Sequence, residues 1–184
     1  MNALVNDQLD RLRGLLKGTN ITFGRYTSEL AETRKQALET NRNPLPNEVI
    51  AREEIRSGEK LPQILITNYA MLEFLLLRPE DSILFQNGKW RFIILDEAHT
   101  YMGAQGIEVS FLLRRLKHRL NRQPGDTLCV ATSATLTSDD ANKAAEFAQR
   151  LFDESISPED VIFGVSDKEY ATIDEIQEEL SVEA

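Results

Sequence analysis

Between residues 63 and 152 the chain repeats one pattern: a short apolar run, a small polar turn, then an amphipathic stretch. QILITN leads into YAMLEFLLLRP, RFIILDEAH into GIEVSFLLRRLKHRL, and LCVATSAT into SDDANKAAEFAQRLF. Runs that are apolar at consecutive positions are strands buried on both faces, and their alternation with helices predicts an α/β fold with a mostly parallel sheet covered on both sides. In such sheets ligands bind at the carboxyl ends of the strands, where these polar turns fall. Upstream, Leu4, Leu9, Leu12, Leu15 and Leu16 recur at helical spacing, so the chain opens within a helix. ITFGRY (21–26) reads as a strand, Thr27 or Ser28 as the cap of the helical pattern SELAETRKQALE, and the two-proline stretch NRNPLPNEV as a loop. AREEIRSG reads as a short charged helix closed by Gly58, and VIFG (161–164) as a last strand.

Along GIEVSFLLRRLKHRL, Val109, Leu112, Leu113, Leu116 and Leu120 form one apolar stripe. Arg115, His118, Arg119 and Arg122 are left on the opposite face, read first as a solvated surface. A chain of 184 residues predicts one domain with its own core. Its 41% apolar and 28% charged residues fit neither a disordered nor a membrane protein. No apolar run reaches bilayer length and no signal peptide is evident, so the expectation is a cytoplasmic chain with no membrane partner. The single cysteine, Cys129, lies in the apolar run LCVAT and is expected to be a buried thiol. A net charge of −9 argues against nucleic acid only until its placement is considered. Most of the excess acid lies in 166–184, an acidic tail or linker, while Arg114, Arg115, Lys117, Arg119 and Arg122 cluster centrally.

The turns carry the candidate chemistry. Asp96 follows directly on Phe92-Ile93-Ile94-Leu95, so a rigid strand end holds its carboxylate. Magnesium takes one or two carboxylates together with waters and phosphate oxygens, and Asp96 suits that role. The adjacent Glu97 could hold a water for in-line attack on a phosphate, with His99 close by. The competing reading makes Asp96 a helix cap and His99 a packing residue. Thr132-Ser133-Ala134-Thr135 ends the next strand, its hydroxyls able either to relay hydrogen bonds or to cap a helix. Thr67-Asn68, after Ile64-Leu65-Ile66, reads as a contact to a nucleic-acid backbone or as a plain Asx-type turn. Zinc chemistry through His99, His118 and Cys129 is excluded, because those residues have no ligand spacing.

In order and spacing these turns resemble the first RecA-like domain of superfamily 2 DEAD/DEAH-box helicases. Thr67-Asn68 matches a nucleic-acid-contacting motif, Asp96-Glu97-Ala98-His99 motif II, and Ser133-Ala134-Thr135 motif III. AREEIR before LPQILITNYAMLE, with DEAHTYMGAQG and LLRRLK, is similar to the YprA-like, MrfA-type branch, and MNALVNDQ resembles the part of motif Ia that follows its strand. The likeness covers residues 1 to about 165. It implies an ATP-dependent motor that couples hydrolysis to strand movement, with ATP and magnesium as cofactors and DNA as partner. It further implies that Asp96 holds magnesium through water, that Glu97 orients the attacking water, and that His99 couples the nucleotide site to Ser133 and Thr135. Thr67 and Asn68 would touch the nucleic-acid backbone.

One departure shapes the expectation. The sequence contains no GxxxxGK followed by Ser or Thr, the loop whose N–H groups and lysine grip phosphates. In the family that loop lies upstream of motif Ia and the arginine finger lies on a second RecA-like domain. The expected fold is therefore a RecA-like sheet without its phosphate-loop strand, which leaves 128–132 as an open apolar edge, and a chain with little ATPase activity alone. The alternative from another class is a helicase remnant that binds nucleic acid or a protein partner without catalysis.

Overall fold

The computed structural model describes residues 2–40, 43–86, 90–134 and 140–164. Helices and strands alternate as α1 (Asn2–Leu16), β1 (Phe23–Tyr26), α2 (Arg34–Glu39), β2 (Glu48–Val49), α3 (Arg52–Arg56), β3 (Ile64–Thr67), α4 (Tyr69–Leu77), β4 (Phe92–Leu95), α5 (Gly103–Arg119), β5 (Leu128–Ala131) and α6 (Ala141–Phe152). Every strand pair is parallel, as helical crossovers require. The strands form two sheets among the described residues, one ordered β2-β1-β3 and one made of β4-β5. One apolar core nevertheless serves both, joining Tyr26 and Val49 of the first sheet to Ile93 of the second through Leu75 of α4, Leu113 of α5 and Phe152 of α6.

Several boundaries depart from the sequence reading, each for a local reason. Helix α2 begins at Thr33, whose hydroxyl accepts from the Gln36 N–H while the Gln36 side chain accepts from the Thr33 N–H; Thr27 is instead buried at the end of β1. Strand β2 emerges from the proline loop because Glu48 and Val49 pair with Phe23 and Gly24. VIFG forms no strand, and Ile162 is 93% exposed. The acidic stretch 166–184 lies outside the described residues. Cys129 is half-buried, and burial pushes its thiol pKa up. The α5 stripe is buried as expected, while Arg115, His118 and Arg119 face solvent. Among the described residues no helix is long and apolar enough to cross a membrane.

Two polar clusters fix the elements that later carry the site. Asp81, fully buried, accepts from the Tyr26 hydroxyl at 2.7 Å and from Arg56 Nε at 3.0 Å. Burial, followed by this bond, pushes the Tyr26 pKa up to about 12. Tyr26 thereby anchors the end of β1, and its carbonyl accepts the Thr67 hydroxyl at 2.7 Å. Helix α1 buries Val5 and Leu9, whereas Leu4 and Leu15 are exposed. Arg13 makes two bonds to the buried Glu48, at 3.0 and 2.7 Å, and the first of these influences, the Glu48 hydrogen bond, raises its pKa. Asn47 donates to the carbonyls of Leu16 and Ile21, and Arg25 donates to Asn6.

Among the described residues the β4-β5 sheet is not covered on both sides. Its register sets Phe92 beside Leu128 and Ile94 beside Val130, and these four side chains are exposed, by 58, 60, 63 and 37% respectively. Ile93 and Cys129, which point the other way, pack into the core. Strand β5 pairs only with β4 among the described residues, so an apolar face and an open edge occur together. The purified 184-residue chain is accordingly expected to self-associate and to bind a hydrophobic dye. The paired change Phe92→Lys with Ile94→Lys should shift it toward monomer in size-exclusion chromatography with light scattering. A monomeric unaltered chain with a sharp two-state melt would contradict this.

Candidate hydrolysis and coupling site

At the carboxyl end of β4 the chain turns sharply through Asp96 and Glu97. Glu97 has φ 50° and ψ 44°, a left-handed backbone that costs a residue with a side chain about 1 kcal/mol. A single helical turn, Ala98–Thr100, follows and is closed by the Thr100 N–H and hydroxyl, both donating to the Glu97 carbonyl at 3.0 and 2.8 Å. Asp96 does not cap this turn, since its carboxylate bonds elsewhere.

The partner is Thr132, the first residue beyond β5. Its N–H donates to the Leu95 carbonyl at 2.9 Å, and its carbonyl accepts from the Ala98 N–H at 2.8 Å. This continues the β4-β5 ladder past the end of the sheet and brings the two turns side by side. The Thr132 hydroxyl then donates to Asp96 Oδ1 while accepting from the Glu97 N–H at 3.2 Å. Gln8 Nε2 of α1 donates to Asp96 Oδ2 at 3.1 Å. Thr132 appeared in the sequence only as part of a small polar turn, and Gln8 was not singled out. The available signal for Gln8 was its place on the buried stripe of α1, three residues after Val5 and next to Leu9.

His99 lies between the two turns. Its Nδ1 is 3.3 Å from Glu97 Oε2 and 3.3 Å from the Ser133 hydroxyl, so a proton on that nitrogen serves one neighbour at a time. Asp96, Glu97, His99 and Ser133 are thus assembled as one cluster. Ala134 follows, exposed, and Thr135 lies outside the described residues.

Thr67 and Asn68 stand at the carboxyl end of β3, on the other sheet. Asn68 caps α4, its side chain accepting from the Met71 N–H at 2.8 Å, and the Thr67 hydroxyl is held by Tyr26. Asn68 thus has a local role as a helix cap in the described structure. The two turn regions meet through aromatic rings: Tyr69 and Tyr101 pack edge to face with centroids 6.1 Å apart. Burial, then Tyr69 and then Asp96, raise the Tyr101 pKa. The glycine at 106 lets the Tyr101 carbonyl lie close against α5, since a Cβ there would lie 2.5 Å from that oxygen. Gly103, which opens α5, takes φ +59°.

The donor set fits magnesium held through water. No group of three or more His, Cys, Asp or Glu able to cage an ion exists among the described residues. A magnesium site needs only one or two carboxylates when phosphates and waters complete it. Each Asp96 oxygen accepts one protein hydrogen bond and keeps a further lone pair.

A family model described as DEAD/DEAH box helicase matches residues 1–144. The chain belongs to that family. The helicase-family chain is 35% identical over 172 residues to Druantia protein DruE of Escherichia coli, covering 82% of this chain and 9% of that protein. It is 37% identical over 81 residues to the uncharacterized ATP-dependent helicase YprA of Bacillus subtilis, covering 43% of this chain and 10% of YprA. A crystal structure of the DUF1998 helicase MrfA bound to DNA superposes with a TM-score of 0.58 at 25% identity, over 84% of this chain and 18% of MrfA. A second MrfA structure, bound to DNA and AMPPNP, shares the fold with a TM-score of 0.59 at 24% identity. The chain therefore spans less than a fifth of the length of each of these proteins. The match supports the α/β, RecA-like fold read from the sequence.

Backbone strain at Glu97 generates a prediction. Glu97→Gly should stabilise the chain by up to about 1 kcal/mol while deleting the carboxylate. Gly106→Ala should destabilise it by at least about 2 kcal/mol through overlap with Tyr101. Chemical denaturation of the two variants measures both signs.

Proposed function

We propose that this chain is the water-activating and coupling part of an ATP-driven motor that moves along DNA, with residues 1–165 forming part of a first RecA-like domain and 166–184 an acidic linker. The observation that carries the reading is the single hydrogen-bonded cluster at the ends of β4 and β5, in which Thr132 bridges Asp96 and Glu97 and His99 reaches Ser133. Asp96 would hold magnesium through water, and that ion would supply positive charge for phosphate oxygens. Glu97 would orient the attacking water. His99, facing either Glu97 or Ser133, would report the state of the nucleotide to the segment Ser133, Ala134 and Thr135 that follows β5 in sequence. Thr67 and Asn68 would meet the nucleic-acid backbone. The Thr67 hydroxyl and the Asn68 Oδ1 already hold the turn together, which would leave the Asn68 Nδ2 and nearby backbone N–H groups to meet phosphate oxygens. ATP as the nucleotide is supported by the ATP-dependent helicase YprA, and DNA by the DNA-bound MrfA. A phosphate-gripping loop and an arginine finger, absent from these 184 residues, would come from further polypeptide. The motor would act in the cytoplasm.

DNA-stimulated ATP hydrolysis tests the reading. The 184-residue chain alone should hydrolyse ATP at background rate. Joined to a phosphate-binding loop and second RecA-like domain, it should turn over ATP when DNA is present, and Glu97→Gln should lower that rate by about a thousandfold. Robust turnover by the chain alone would refute the assignment of the missing parts. DNA binding that persists in the joined protein without any hydrolysis would favour a non-catalytic binding module.

A further inference from the structure

We infer that Gln8 is a positioning residue for the magnesium-holding carboxylate, an assignment that rests on the proposed function of Asp96. Asp96 is exposed at a strand end, where one hydrogen bond leaves a carboxylate free to turn about its Cβ–Cγ bond. Here two donors from two different elements fix its plane: Thr132 beyond β5 on Oδ1 and Gln8 of α1 on Oδ2. Hydrogen bonds between mobile surface groups carry little weight. Gln8 is not such a group. It is half-buried beside Leu9, on a helix tied down at Asn6, Arg13 and Leu16 by Arg25, Glu48 and Asn47.

The arrangement has a chemical direction. One N–H of Nε2 goes to Asp96, and Oε1 of the same amide is an acceptor beside the carboxylate. Two acceptors from one rigid pair suit the hydrogens of metal-bound water better than they suit another protein group. The link also has a topological consequence, because α1 packs against β1 and β3, so the carboxylate at the end of β4 is held from the sheet that carries Thr67 and Asn68.

The test uses the complete motor, with Gln8→Met, which keeps side-chain length and helix preference and removes both polar atoms. The readouts are the magnesium concentration giving half-maximal binding of a fluorescent non-hydrolysable ATP analogue, the same quantity for hydrolysis, and the melting temperature. Gln8→Met should raise both magnesium midpoints about three- to tenfold, with melting unchanged within roughly 2 °C. Gln8→Leu repeats the measurement should the methionine variant fold poorly. Unchanged magnesium midpoints in a folded variant overturn the inference, whether or not melting shifts. Hydrolysis that survives Glu97→Gln would instead remove the proposed function beneath it, so the two failures are separable.

Discussion

The site depends on one constraint, the register between β4 and β5 continued one residue beyond the sheet. Because Phe92 faces Leu128 and Leu95 faces Ala131, Thr132 arrives opposite the Asp96 turn with its N–H and carbonyl both engaged. Only then can a single hydroxyl donate to Asp96 and accept from Glu97. A slip of one residue would turn Thr132 to the opposite face and separate every member of the cluster. The strain accepted at Glu97 follows from the same geometry, since its N–H must point back to Thr132 while its side chain reaches toward His99.

Much of this was legible from the order of residues alone. The strand, turn, helix alternation is written in runs such as FIILDEAH, where burial selects apolar side chains and the turn selects polar ones. Asp96, Glu97 and His99 were legible because they are adjacent in sequence. What escaped is long-range or small. Gln8 meets its partner across 88 positions, and no local pattern encodes such a meeting. Strand β2 has two residues, one of them a buried glutamate whose carboxylate is paired with Arg13 and accepts from the Leu45 N–H. Thr33 displaced Thr27 as a helix cap because β1 and its buried end consume Thr27. VIFG is apolar enough for a strand but has no neighbour to pair with among the described residues.

Thr67 and Asn68 illustrate a different limit. Two readings, nucleic-acid contact and local capping, looked like competitors in the sequence. The structure shows the local role in full, with Asn68 holding the first turn of α4 and Thr67 holding Tyr26. These are the bonds by which a surface turn becomes rigid enough to present anything, so the local role is the physical precondition of the other.

The division into two sheets has a mechanical consequence. A continuous ladder of backbone hydrogen bonds makes a sheet behave as one plate, stiff to sliding between its strands. Among the described residues the plate carrying Asn68 and the plate carrying Asp96 are joined through side chains: core packing, the Tyr69–Tyr101 edge, the Arg115–Glu73 ion pair and the Gln8 amide. Side-chain contacts yield by rotamer change where a ladder must break, so the softest displacement available to the described structure is shear along the seam between those plates. That seam runs between the turn that would feel nucleic acid and the turn that would feel nucleotide, and a displacement along it changes their separation without unfolding either.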